Sequence, residues 1–221
     1  MQTISTPILT RHCWQAVASF RRPAAFLHGW AALSTIFYGL PVPDPSHPDY
    51  LALDVTNSIL GGSFASRITS NIREDKGYTY SPTSIMAANY KSGLWYERAD
   101  VTTEHTGASL AEIKKEIGRL QQEPPTQEEL DGIINYESGI FVLQNSSPNG
   151  IIGQMIFLDT HDLDESFLTN KVANMHAVTP GQVSELTRKY IRPEDMILIV
   201  VGDKKKIESQ LEQTLEIPLK Q

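Results

Sequence analysis

Arg73 and Tyr80 stand seven residues apart in the stretch GGSFASRITSNIREDKGYTYSP, which runs from Gly61 to Pro82. A guanidinium presents a planar fork of N–H donors and a phenol adds an O–H, so the pair suits a peptide carbonyl or a developing oxyanion. Their spacing spans a helix-to-strand hinge, which lets both project from the same side of one corner. Gly61 and Gly62 allow a sharp turn between two helices, because glycine accepts positive φ, and Gly77 breaks the second helix. Arg73 falls near the end of that helix, where the dipole favours a cation. The same residues also read as an arginine paired with Glu74 or with the helix end, beside a tyrosine in the core.

Other chemistries find less support. A zinc peptidase sets two histidines one helical turn apart with a glutamate alongside. The nearest pair among the six histidines, His161 and His176, is 15 residues apart, and neither H-x-x-E-H nor H-E-x-x-H occurs. No metal site is therefore expected in this chain, and no stoichiometric zinc. The HDLDE run at His161–Glu165 reads as a solvated helix junction. GGSF does not match the G-x-S-x-G nucleophile elbow. Cys13, the one cysteine, lies in the least regular part of the chain and excludes an intramolecular disulfide. A lone thiol suits cytoplasm and periplasm alike. With 19 basic against 26 acidic residues the net charge is −7, which argues against a nucleic-acid partner. No apolar run reaches the roughly 20 residues of a membrane span.

Composition also divides the chain. The first 43 residues contain no Asp or Glu, and two of the three tryptophans, Trp14 and Trp30, lie among them. Arg21, Arg22 and Pro23 interrupt the apolar core that a signal peptide requires. Residues 1–33 read as an atypical leader, a segment packed on something else, a linker or a stretch not native to the domain, and dispensable for folding. Residues 34–221 read as the domain.

The elements that must carry the corner follow from local pattern. STIFYGLPVP reads as a first strand, and Ser46 with Asp49 as a capping box opening a helix that ends at Gly61-Gly62. A second helix runs from Ser63 to Lys76, with Phe64, Ile68 and Ile72 on its buried face and Arg67 and Arg73 on others. YTYSPTSIMAANY and GLWYERADVT read as a hairpin turning at Lys91–Gly93. Leu110, Ile113, Ile117 and Leu120 define an amphipathic helix, and Thr126 and Thr179 open two more. The apolar run MILIVVGD reads as a strand buried on both faces, followed by a closing surface helix. This order predicts one α+β domain, a mainly antiparallel sheet with helices packed on it.

The opening stretch closely resembles the motif of the pitrilysin-type zinc metallopeptidases, a family that includes the insulin-degrading enzymes and the mitochondrial processing peptidase. Leu60-Gly61-Gly62, Ser66-Arg67, Ile72-Arg73-Glu74, Gly77 and Tyr80 all match in order. The helices before this stretch and after Pro125 resemble the family too, so the likeness covers about residues 34–213. The family pairs similar α+β domains around a chamber: one carries zinc, while the other lacks the ligands and contributes an arginine and a tyrosine to substrate. The resemblance implies the second role here, with Arg73 and Tyr80 as substrate-binding residues and Gly61, Gly62, Ser66, Arg67, Glu74 and Gly77 supporting the hinge. It further implies a zinc-bearing homologous domain or subunit as partner, a peptide as substrate, zinc in the partner half, and no activity from this chain alone. The alternative is a structural or interaction subunit of the same fold with no proteolytic role.

Overall fold

The computed structural model describes residues 24–27 and 32–215. Strands β1 (Ala24–Leu27) and β2 (Leu33–Val42) come first, then α1 (Tyr50–Asn57), which widens into a π turn at Ser58–Gly62. Helix α2 (Arg67–Thr69) runs directly into a second π segment, Ser70–Asp75. Next come β3 (Thr83–Asn89) and β4 (Ser92–Thr102), then helices α3 (Thr106–Gln122), α4 (Gln127–Gln144) and α5 (Pro148–Thr160). Short helices α6 (Ser166–Thr169) and α7 (Lys171–His176) precede α8 (Pro180–Tyr190), β5 (Ile197–Gly202) and α9 (Lys204–Leu215).

Among the described residues the strands form one sheet in the order β1-β5-β2-β4-β3. The pairs β5·β2, β2·β4 and β4·β3 are antiparallel, and β1 adds in parallel beside β5. The α+β class follows: a mainly antiparallel sheet with helices packed on it. Alternation in β2 and β4 turns Ile36, Leu40, Trp95 and Val101 to the helix side, where all are buried. Against them pack Leu110, Ile113, Ile117 and Leu120 of α3, each with no exposed surface. At about 1.5–3 kcal/mol per fully buried aliphatic side chain, this stripe alone fixes α3 on the sheet. Among the described residues the opposite sheet face stays open, with Arg98 exposed and Phe37 and Tyr96 partly so.

Two expected caps form. Thr126 Oγ1 accepts the Glu129 N–H at 3.1 Å, and Thr179 Oγ1 accepts that of Gln182 at 3.3 Å. The Ser46–Asp49 capping box does not. The Asp44 carboxylate takes the Ser46 hydroxyl (2.6 Å) and N–H (2.9 Å), while Asp49 binds Lys189 (2.8 Å) and the Tyr190 hydroxyl (2.7 Å) of α8. The first helix accordingly begins at Tyr50.

Other expectations also need correction. β5 is buried on one face only: Leu198 and Val200 point inward, whereas Val201 is exposed, because its other side lies on the open sheet face. β3 starts at Thr83, since Pro82 offers no N–H to the ladder and the residues before it build the corner. A strand, β1, also falls within the segment read as a leader; residues 1–23 and 28–31 of that segment lie outside the described residues.

Candidate functional site

The corner is built from its glycines outward. At the end of the first π turn Gly61 lies so close to the sheet that a Cβ would sit 2.7 Å from Ser84 Oγ and 2.8 Å from Glu97 Oε2. A Cβ on Gly62 would meet Asn57 Nδ2 at 2.5 Å. Both positions need glycine for close approach, not for positive φ. Beneath them, Trp95 Nε1 and Ser84 Oγ both donate to Asn57 Oδ1, at 2.8 and 2.7 Å. This buried network fixes the end of α1 to β3 and β4.

The second π segment is then tied down on several sides. Ile68 and Ile72 are fully buried. Asn71 Nδ2 donates to Glu112 Oε2 (2.8 Å) and Glu116 Oε1 (2.7 Å) of α3. Arg67 makes a two-point contact with Glu129 at the start of α4, Nε to Oε1 at 2.8 Å and Nη2 to Oε2 at 2.9 Å. Those hydrogen bonds favour the charged form of Arg67 and hold the Glu129 carboxyl below the usual carboxylate range. Ser66 precedes α2 in extended conformation, and its hydroxyl donates to Thr69 Oγ1 at 2.9 Å. π segments of this kind recur at functional sites, where the extra residue re-aims a side chain.

Gly77, at φ +66°, ends the helical segment in the left-handed region. Tyr78 packs on His105, with ring centroids 4.3 Å apart, and its carbonyl accepts the Thr102 N–H at 3.0 Å. Thr79 bridges to Val101 of β4, and its hydroxyl donates to the Asp100 carbonyl at 2.7 Å. With its neighbours pinned, Tyr80 projects outward and is 81% exposed.

Arg73 and Tyr80 meet at this corner. The guanidinium carbon of Arg73 lies 4.8 Å from the Tyr80 ring centroid and 4.4 Å from that of Phe64. Arg73 Nε is 3.0 Å from Glu74 Oε1, so the pairing with Glu74 also exists, but Tyr80 is not a core residue. Phe64 departs from expectation: it is 66% exposed and not on a buried face. Helix α2 begins only at Arg67, so Phe64 lies outside it and the four-residue spacing with Ile68 does not apply.

Sequence reasoning missed Glu97. It is fully buried, neither oxygen has a hydrogen-bond partner, and burial pushes its carboxyl well above the usual carboxylate range. The Thr83 backbone N–H offsets this only in part, without completing a hydrogen bond. The signal was present in β4, where Glu97 shares the inward parity of Trp95, Ala99 and Val101. Also unforeseen is a cavity of about 170 Å³ between α1, α4 and α7, lined by Asp54, Ser58, Glu137, Phe141 and Lys171 among others. Ser58 Oγ donates to Glu137 Oε1 there at 2.7 Å. Burial pushes the Asp54 carboxyl up to about 6, with Lys171 opposing and Glu137 adding to the rise.

No group of three His, Cys, Asp or Glu among the described residues is placed to hold a metal ion. His161 in the HDLDE run is buried against Phe157, 4.6 Å between ring centroids, with Nδ1 unpartnered. The residues do not fit a zinc site. None of the described helices is long and apolar enough to cross a membrane.

The described residues thus form an α+β domain with no zinc ligand set among them. Residues 31–136 match the family model described as the peptidase M16 inactive domain. A relative called an uncharacterized zinc protease, YmxG of Bacillus subtilis (strain 168), is 27% identical over 171 residues, covering 75% of this chain and 40% of that protein. The crystal structure of a peptidase M16 inactive domain from Pseudomonas fluorescens superposes with TM-score 0.76 at 21% identity, over 90% of this chain and 45% of that one. A chain of complex III2 from Candida albicans superposes with TM-score 0.69 at 14% identity, over 87% and 46%. This chain thus spans less than half the length of each of these three. These likenesses support a place in the pitrilysin-like M16 peptidase family, whose inactive-domain model residues 31–136 match.

Proposed function

We propose that this chain is the non-catalytic half of a two-part zinc peptidase, and that Arg73 and Tyr80 hold the peptide substrate for a zinc-bearing partner domain. One observation carries the reading: a cation and a phenol from opposite sides of the Gly77 hinge meet on an exposed corner, with the guanidinium carbon 4.8 Å from the ring centroid. Donors fixed in this way can grip a scissile carbonyl and strengthen as its oxygen gains charge. Zinc and the attacking water belong to the partner in this reading, because the described residues provide no ligand set. Exposed apolar side chains on α4 and α5, among them Leu143, Ile152, Met155 and Ile156, support a partnered state.

The test is reconstitution with the H-x-x-E-H-bearing chain encoded nearest to it, assayed on an internally quenched peptide library. Arg73→Ala and Tyr80→Phe should each lower kcat/KM by about 10- to 1000-fold, the range for removing an oxyanion donor. Each should move the Tm of the chain by no more than about 2–4 °C, equivalent to roughly 1 kcal/mol at this size. Unimpaired cleavage would leave the other reading, a structural subunit of the same fold.

A further inference from the structure

We infer that Phe64 is a positioning residue: with Tyr80 it forms a two-ring slot that holds the Arg73 guanidinium and sets the plane in which it meets substrate. This role rests on the function proposed above and adds a residue to it. The guanidinium carbon is 4.4 Å from the Phe64 centroid and 4.8 Å from the Tyr80 centroid, so rings from two separate segments contact one cation. Arg73 is only 24% exposed, although the rings around it are 66% and 81% exposed. The third constraint is Glu74, whose Oε1 lies 3.0 Å from Arg73 Nε.

These contacts leave a particular part of the arginine free. Both rings pack against the guanidinium, and Glu74 stands beside Nε. The Nη edge remains, with donors lying in the guanidinium plane. An acceptor bound at Nη arrives edge-on and in that plane, which a peptide carbonyl or a carboxylate oxygen can do. A free arginine side chain samples many rotamers, and ordering it on binding opposes affinity. The slot removes much of that freedom before substrate arrives.

The chain delivers Phe64 to this place by the same device that positions the corner. Gly61 and Gly62 press the π turn against Ser84 and Asn57, and the chain leaves the sheet before α2 begins. Phe64 falls in this exit segment and buries no core surface. Its exposure is explained by the cation it covers.

Phe64→Leu keeps an apolar side chain and removes the ring; Phe64→Tyr restores the ring. In the reconstituted peptidase, Phe64→Leu should lower kcat/KM about 2- to 5-fold, the equivalent of one exposed cation–π contact. Phe64→Tyr should recover the loss. In the isolated chain, the Arg73 Nε–H resonance should shift toward its random-coil position in Phe64→Leu, and return in Phe64→Tyr, as ring current over the guanidinium is lost and regained. A purely structural role predicts neither the ring-specific recovery nor that shift. If Arg73→Ala slows cleavage while Phe64→Leu does not, the positioning role is overturned and the proposed function survives. If Tyr fails to recover what Leu loses, or the Arg73 resonance does not move, the ring is not the agent. If Arg73→Ala itself leaves cleavage intact, the proposed function falls and takes this role with it.

Discussion

Replacing Glu97 with glutamine tests whether the acid beneath the Gly61 turn is held neutral. Its carboxyl is fully buried, both oxygens lack hydrogen-bond partners, and its cross-strand neighbours are Tyr38 and Ser84. No ion pair reaches it among the described residues, so burial raises its pKa without an opposing charge. In the unfolded chain a glutamate loses its proton near pH ~4.3. The native state keeps that proton to a higher pH. Between the two pKa values the native state binds one more proton than the unfolded state, so stability falls as pH rises. The limiting slope for one proton is about 1.4 kcal/mol per pH unit. Above the native pKa the decline stops, and the lost stability is not regained.

Glu97→Gln keeps the shape and stays neutral throughout, so it removes this slope. Urea unfolding of both proteins from about pH 5 to about pH 8 gives the variant-minus-native difference, which should climb by up to about 1.4 kcal/mol per unit while the native carboxyl remains protonated. In a melting experiment that slope is roughly 3–6 °C per pH unit, at about 2–4 °C per kcal/mol. The amide's own unsatisfied N–H adds a constant penalty of about 1–3 kcal/mol, which shifts the difference without tilting it. A flat difference across this range, or a variant that loses ground as pH rises, would refute the claim of a neutral buried acid.

Two further predictions concern the same part of the molecule. Gly61→Ala places a methyl 2.7 Å from Ser84 Oγ and 2.8 Å from Glu97 Oε2, so it should destabilise by about 1–3 kcal/mol; an unchanged urea midpoint would show that the turn has slack. Asp54 should titrate near pH 6 in carboxyl-carbon NMR, and Asp54→Asn should gain stability over the native chain as pH rises through that value; a midpoint near the ordinary ~3.9 would remove the buried-acid reading of the cavity.

The α+β class and the α3 stripe were legible in the sequence because they rest on periodicity. Leu110, Ile113, Ile117 and Leu120 recur on one helical face, and all four are buried. The Thr126 and Thr179 caps were legible because an N-cap bond depends on two residues three apart. Ser46 failed for the opposite reason, since Asp44 and α8 compete for the groups that would have formed the box. The corner was half legible. Order and spacing brought Arg73 and Tyr80 together, but Phe64 was assigned to the core by a helical period that starts three residues after it. The parity of β4 places Glu97 inward, but the turn of Gly61 that closes over it is a contact between segments far apart in sequence.

The arrangement separates what holds the corner from what the corner presents. Ile68, Ile72, Asn71 and Arg67 all anchor inward, to the core, α3 and α4. Phe64 and Tyr80 face outward from the same stretch, and both contact Arg73. A structural connector would place its large aromatic rings the other way round, because an exposed ring forgoes the roughly 1.5–3 kcal/mol that burial provides. Two rings left outside around one cation make sense where the cation must be held and still be reached. The glycines serve the same end: Gly61 and Gly62 bring the backbone close enough to the sheet to anchor it, and Gly77 turns it so that Tyr80 comes back over Arg73. Anchoring and presentation thus rest on different residues of a single 22-residue stretch, Gly61–Pro82, so on the function proposed above outward substitutions should act on substrate and inward ones on folding.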